Sequence, residues 1–141
     1  MENRVIKSFR TDKQFTNLNE ACSEFVAGRT GSGMLNVFVK HATCGVKIIE
    51  DELLLLADIN KHLDKLAPKE QEYLHDIIEI RDVPITERIN GYSHIRQLYF
   101  SSSINIPVED GKILLGKWQT IFLVELDPIR DREVIFSYWS I

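Results

Sequence analysis

Cysteine is scarce in this sequence. Cys22 and Cys44 are the only two, and they form no C-x-x-C pair, which excludes a zinc-ribbon arrangement. No apolar run approaches the ~18 residues of a membrane-spanning helix. No signal-peptide pattern opens the chain. The expectation is therefore a cytoplasmic protein with no membrane partner and reduced thiols. A basic surplus is also missing. Seventeen Lys and Arg against twenty-one Asp and Glu give a net charge of −4, and the basic residues are dispersed. Such a chain has no electrostatic footprint for nucleic acid. Repeats, low-complexity segments and linkers are absent. At 141 residues, one compact domain over 1–141 is expected, with no disulfide or metal required for stability.

What remains is a mixture of strand and helix signals. Residues 4–10 (RVIKSFR) alternate apolar and polar, as a strand does. Asn17 and Glu20 have capping-box spacing before a helix over 18–27, which Gly28 stops. The turn-rich GRTGSG at 28–33 lacks the lysine and the spacing of a phosphate-binding P-loop. Residues 34–40 and 45–49 read as strands. Leu53, Leu56, Ile59, Leu63 and Leu66 recur at helical spacing up to Pro68, with acids at the N-terminal end, where the helix dipole favours them. A short second helix is expected over 69–79, and one or two helical turns after Asn90. From 102 onward the pattern is β: a strand, a tight EDGK turn, strands over 112–115 and 118–126, a turn at DPIRDR, and a last strand over 132–139. The fold class expected is α+β, an antiparallel sheet or sandwich with two to four short helices.

Candidate chemistry begins at KHATCGVKIIEDE, residues 40–52. His41 and Thr43 share strand parity at the end of an apolar run, and Glu50, Asp51 and Asp58 follow. A strand-end histidine capped by the backbone would look the same. Of the four histidines, His62 sits among polar helix residues and reads as surface. His41, His75 and His94 lie at element ends and are candidate ligands of a divalent metal, although no HExxH-type spacing supports it. In the stretch 110–127, Gln119, Ile121, Leu123 and Glu125 share parity. Gln119 on an inward face would need a partner or a ligand. Glu125 reads instead as the polar end of an edge strand, in water. Nothing marks Cys44 as an activated thiol; a small buried cysteine is the reading.

Three motifs together resemble one family. HATCGVKIIEDE, NGYSHI and SSSINIPVEDGKILLGKWQTIFLVELDPIRDR are similar, in order and over nearly the whole chain, to the elements of the YjbQ-like family. Its members are described as secondary thiamine-phosphate synthases. Departures are visible: Ala42 replaces the first threonine of the usual His-Thr-Thr, Lys117 replaces the threonine common before Trp-Gln, and Cys44 and Gly45 stand where small apolar residues are usual.

The resemblance implies a homotrimer and a pocket carrying histidines and acids. The implied substrates are small phosphorylated metabolites. The implied reaction joins a pyrimidine diphosphate to a thiazole phosphate with release of pyrophosphate. His41, Thr43, Glu50, Asp58, Asn90 and Gln119 are then the candidate catalytic set, with Trp118 packed as a wall beside Gln119. His41, His75 and His94 are the candidate ligands of Mg²⁺ or Zn²⁺, with Glu50 or Asp58 holding the ion or orienting a histidine. Two other functions use the same residues differently: a metal-dependent hydrolase of a small phosphorylated metabolite, and a non-catalytic ligand-binding or assembly module.

Overall fold

A computed structural model describes all 141 residues. Two antiparallel sheets make its frame. The larger contains β1 (Arg4–Thr11), β3 (Ser32–Val39), β5 (Ser103–Glu109), β6 (Lys112–Ile113) and β8 (Arg130–Ser140), in the spatial order β1-β8-β3-β5-β6. The smaller contains β2 (Phe15–Asn17), β4 (Cys44–Ile49) and β7 (Thr120–Glu125), with β7 in the middle. The α+β expectation holds, and three helices accompany the sheets: α1 (Asn19–Val26), α2 (Leu53–Leu66) and α3 (Gly91–Gln97). No helix is long and apolar enough to cross a membrane.

The sequence pattern explains the layers. In β3 every second residue is buried (Gly33, Leu35, Val37, Val39), so one face of the larger sheet makes the core. Leu35, Val37, Ile106, Val134 and Phe136 meet Val46, Ile121 and Leu123 of the smaller sheet there, and α1 adds Cys22 and Val26. All six residues of β7 are buried. The reason is that its second face is covered too: Phe122 and Val124 pack with Leu63 and Leu126, against Leu56 and Ile59 of α2. A strand covered on both sides needs a continuous apolar run rather than an alternating one.

Local signals hold at several ends. The Asn17 side chain accepts the Asn19 N–H at the start of α1. Glu52 caps α2 by accepting the N–H groups of Leu54 and Leu55. The EDGK turn carries positive φ at Asp110 (45°) and Gly111 (73°), as a type I′ hairpin requires.

Two expectations fail. The helix over 69–79 is replaced by two single 3-10 turns, Leu74–Asp76 and Ile78–Ile80; the segment has no continuous apolar face to bury. The apolar residues at the C-terminal end are covered only in part: Trp139 and Ile141 are 47 and 80% exposed. β8 lies between β1 and β3, and Phe136 and Tyr138 are buried. Leu53 opens the apolar stripe of α2 in sequence but is 82% exposed.

Candidate active site

The C-terminal end of β7 leaves the core as Glu125-Leu126-Asp127, all three buried. Sequence parity placed Glu125 correctly on the face of Ile121 and Leu123, but that face is the closed space between the sheets. Glu125 is 1% exposed rather than in water. Arg132 of β8 answers it: its Nη2 donates to Glu125 Oε1 at 2.6 Å and its Nε to Oε2 at 2.7 Å. Thr11 also donates to Glu125, and the Asp127 N–H donates to Oε1 at 2.9 Å. Burial pushes the Glu125 carboxyl up, but the bonds from Arg132, Thr11 and the Asp127 amide outweigh it, and the carboxyl sits below its ordinary value.

Thr43, one of the candidate catalytic residues, belongs to this cluster. Its hydroxyl and its carbonyl oxygen both accept from Arg132 Nη2, at 2.8 and 3.2 Å. His41 stands beside it. The Glu133 N–H donates to His41 Nε2 at 2.9 Å, so the neutral ring carries its proton on Nδ1. Burial, then the nearby Arg132 charge, lowers the His41 pKa below 6.5. The cysteines are inert: burial pushes Cys22 up to about 12 and Cys44 up to about 11.

A second cluster forms one step further along. Asn90 Nδ2 donates to Asp127 Oδ2 at 2.9 Å, Arg130 Nη2 to the same oxygen at 2.7 Å, and Arg88 Nη1 to Oδ1 at 3.3 Å. Burial works against the Asp127 anion, but the bonds from Arg130 and Asn90 prevail and hold its pKa low. Asn90 stands at the N-cap of α3, and Ser93 on that helix donates to the Leu126 carbonyl at 2.5 Å. Both anchors pin α3 against the end of β7.

Gly91 then brings the third part. A Cβ there would lie 2.6 Å from Tyr73 Cβ and 2.8 Å from Asp76 Oδ1, so only glycine lets the 73–76 turn approach. Asp76 Oδ1 accepts the Gly91 N–H at 2.8 Å, and Arg81 fixes the same turn by donating to the His75 carbonyl at 2.9 Å. The result is that His75 and His94 meet edge to face, with ring centroids 4.4 Å apart. Partial burial, then the His75 ring, lowers the His94 pKa below 6.5, while Asp127 pulls it the other way.

Of three histidines expected to converge, the chain therefore unites two. His41 is held elsewhere, on β8's backbone, and His62 is exposed as expected. No group of three or more His, Cys, Asp or Glu side chains is arranged to hold a metal ion. The donors of one chain do not fit a complete metal site: Asp127 is already engaged by three donors.

The other candidates lie apart. Glu50 and Asp58 are exposed and make no hydrogen bond or ion pair. Gln119 is exposed as well, and its Oε1 accepts the Gly116 N–H at 2.8 Å, closing the turn before β7. Trp118 is no packed wall within the chain, being 66% exposed. Sequence reasoning missed Asp127, Arg130 and Arg132 as site residues. The signal was present in ELDPIRDR, where charged residues follow directly on the apolar run 121–124.

Comparison with known proteins places the fold. The family model described as UPF0047 protein YjbQ-like matches residues 4–140. The chain belongs to that family. A UPF0047 protein of Methanothermobacter thermautotrophicus is 37% identical over 106 residues, which cover 75% of this chain and 68% of the relative. The crystal structure of an uncharacterized conserved YjbQ/UPF0047 protein from Clostridium acetobutylicum is 32% identical, with a TM-score of 0.79 over 97% of this chain and 99% of that one. A hypothetical protein from Aeropyrum pernix K1 superimposes with a TM-score of 0.84 at 27% identity, over the full length of both chains. The YjbQ-like fold is thus shared throughout.

Proposed function

We propose that this YjbQ-like protein is an enzyme acting on a small phosphorylated metabolite at the His75–His94 pair, as a thiamine-phosphate-synthase-type transferase. The observation that supports it most is the pair itself: two contacting imidazoles, each half-buried, beside a buried aspartate. The reaction forms a bond from the thiazole nitrogen to the pyrimidine methylene carbon and breaks the carbon–oxygen bond to the diphosphate. No proton is lost from the thiazole nitrogen. The demand is electrostatic: the departing pyrophosphate must be stabilised as its charge develops.

His94 and His75 suit that demand. An anionic diphosphate beside the rings favours their protonated form, and an imidazolium then donates to the leaving oxygen. Asp127 stabilises the charged ring, and Asn90 and the arginines hold Asp127 in place. One chain alone brings no group of three or more His, Cys, Asp or Glu ligands together. A divalent ion, Mg²⁺ or Zn²⁺, would need further ligands from a neighbouring copy.

The homotrimer belongs to the same proposal. Leu53, Leu54, Leu98 and Trp118 are 82, 75, 74 and 66% exposed, and such apolar residues are commonly covered by a partner. Light scattering at micromolar concentration should give three times the chain mass; a monomer mass would count against it.

The activity test is direct. Purified protein, given the pyrimidine diphosphate and the thiazole phosphate, should release pyrophosphate. His94→Ala and His75→Ala should each reduce the rate by about 100-fold or more while keeping the circular dichroism of the parent. Equal rates in parent and variants would refute the assignment.

A further inference from the structure

A separate cleft of about 340 Å³ lies on the other side of α3, lined by Gln14, Asn60, Asp64, Lys69, Tyr92 and Arg96 among others. Two helical pairs four residues apart build it: Asn60 and Asp64 on α2, Tyr92 and Arg96 on α3. Arg96 is the central group, and only 6% of it is exposed. Its Nε donates to the Ala67 carbonyl at the end of α2, at 2.9 Å, and its Nη2 to Asp64 Oδ1 at 2.9 Å. Its Nη1 bonds nothing in the chain, yet it is not sealed from solvent. Arg96 lines the cleft.

The remaining lining is rich in free donors. Lys69 makes no ion pair and holds its ammonium 5.4 Å from the Tyr92 ring centroid. The Arg96 guanidinium lies 5.1 Å from the same ring. The side chains of Asn60 and Gln14 and the Tyr92 hydroxyl make no hydrogen bond within the chain. Arg96 and Asp64 balance each other, and Glu125 at the floor is consumed by Arg132, so Lys69 leaves the cleft with a surplus positive charge. Charge-assisted donors that converge from different directions suit a group with three acceptor oxygens better than a planar carboxylate.

We propose that this cleft binds the phosphate group of a small metabolite, at a site distinct from the histidine pair. The guanidinium of Arg96 supplies a pre-placed donor through Nη1. Lys69 supplies the charge, and Asn60, Gln14 and Tyr92 the neutral bonds.

Inorganic phosphate is the probe. Titrated into the full chain at constant ionic strength, it should give a saturable shift of the Arg96 Nε–H and the Asn60 side-chain amide in nitrogen–proton NMR spectra. Lys69→Glu and Asn60→Asp each place negative charge in the cleft without touching the core. Each should weaken binding by about tenfold or more, with an unchanged melting temperature in the absence of phosphate. His94→Ala should leave the cleft response in place, so the two sites are separable. A response matched by sodium chloride, a tighter response to acetate, or full binding in both charge variants would overturn the proposal.

Discussion

Glu125 and Asp127 stand two residues apart at the end of one strand, and both are buried, but they are put to different uses. Glu125 has all its bonding capacity met: two bonds from Arg132, one from Thr11 and one from the Asp127 amide. It ties β1, β7 and β8 at the closed end of the sandwich. Asp127 is also bonded, but two of its partners, Asn90 and Arg88, come from outside the sheets, with Arg130 at the start of β8 as the third, and it faces a histidine whose ring nitrogens are free. A satisfied buried charge specifies architecture. A buried charge beside an unsatisfied titratable ring can do chemistry.

The comparison breaks most visibly at Arg132. Arg132→Met leaves Glu125 buried without its counter-charge and should cost about 3–5 kcal/mol in urea unfolding. Pairing it with Glu125→Leu should recover most of that loss. If Arg132→Met alone were neutral, the structural role given to the pair would be wrong.

Gly91→Ala sharpens the other side. The added methyl collides with Tyr73 and Asp76, so about 1–3 kcal/mol of stability should be lost. More tellingly, the 73–76 turn should move off α3, and His94 should lose the influence of His75. The test is the His94 titration: an unchanged curve would mean that glycine is not what holds the two rings together.

Acid should lower the stability of the chain in two steps. His41 and His94 have pKa values lowered below 6.5, so the unfolded chain binds more protons there. Their contribution is complete above pH 6.5 and declines as the pH falls below it. Glu125 and Asp127, lowered from 4.5 and 3.8, hold their contribution above those values and lose it at still lower pH. Melting temperature against pH should show both declines, and the double variant His41→Gln/His94→Gln should lack the upper one. A single decline in the parent would contradict the assignment.

The smallest effect is expected at Asp58. It is exposed and unpartnered, so Asp58→Asn should alter stability by no more than about 0.5 kcal/mol. A large loss of activity in that variant would show that a neighbouring copy brings Asp58 into the site, which the single chain does not.

Most strands were legible because period-2 burial is written directly into RVIKSFR and MLNVFV. The β7 run was legible as a strand but not as one covered on both faces, since that depends on where α2 docks. The same gap misplaced Glu125: parity gives its face, but only the second sheet shows that the face is closed. His94 and Asn90 were legible through their shared motif. His75 met them because Gly91 admits a distant turn, a contact no local pattern records. His41 was read as a ligand because it ends a strand. The Glu133 amide that occupies its Nε2 lies on another strand, far along the chain.

The central claim is that the reactive imidazoles are His75 and His94, while His41 belongs to the frame. Proton NMR titration of all four histidines, with and without inorganic pyrophosphate, tests it. The account predicts that His94 titrates below 6.5 in the free protein and moves upward when pyrophosphate is added, with His41 unmoved. A shift at His41 with His94 unchanged would contradict it.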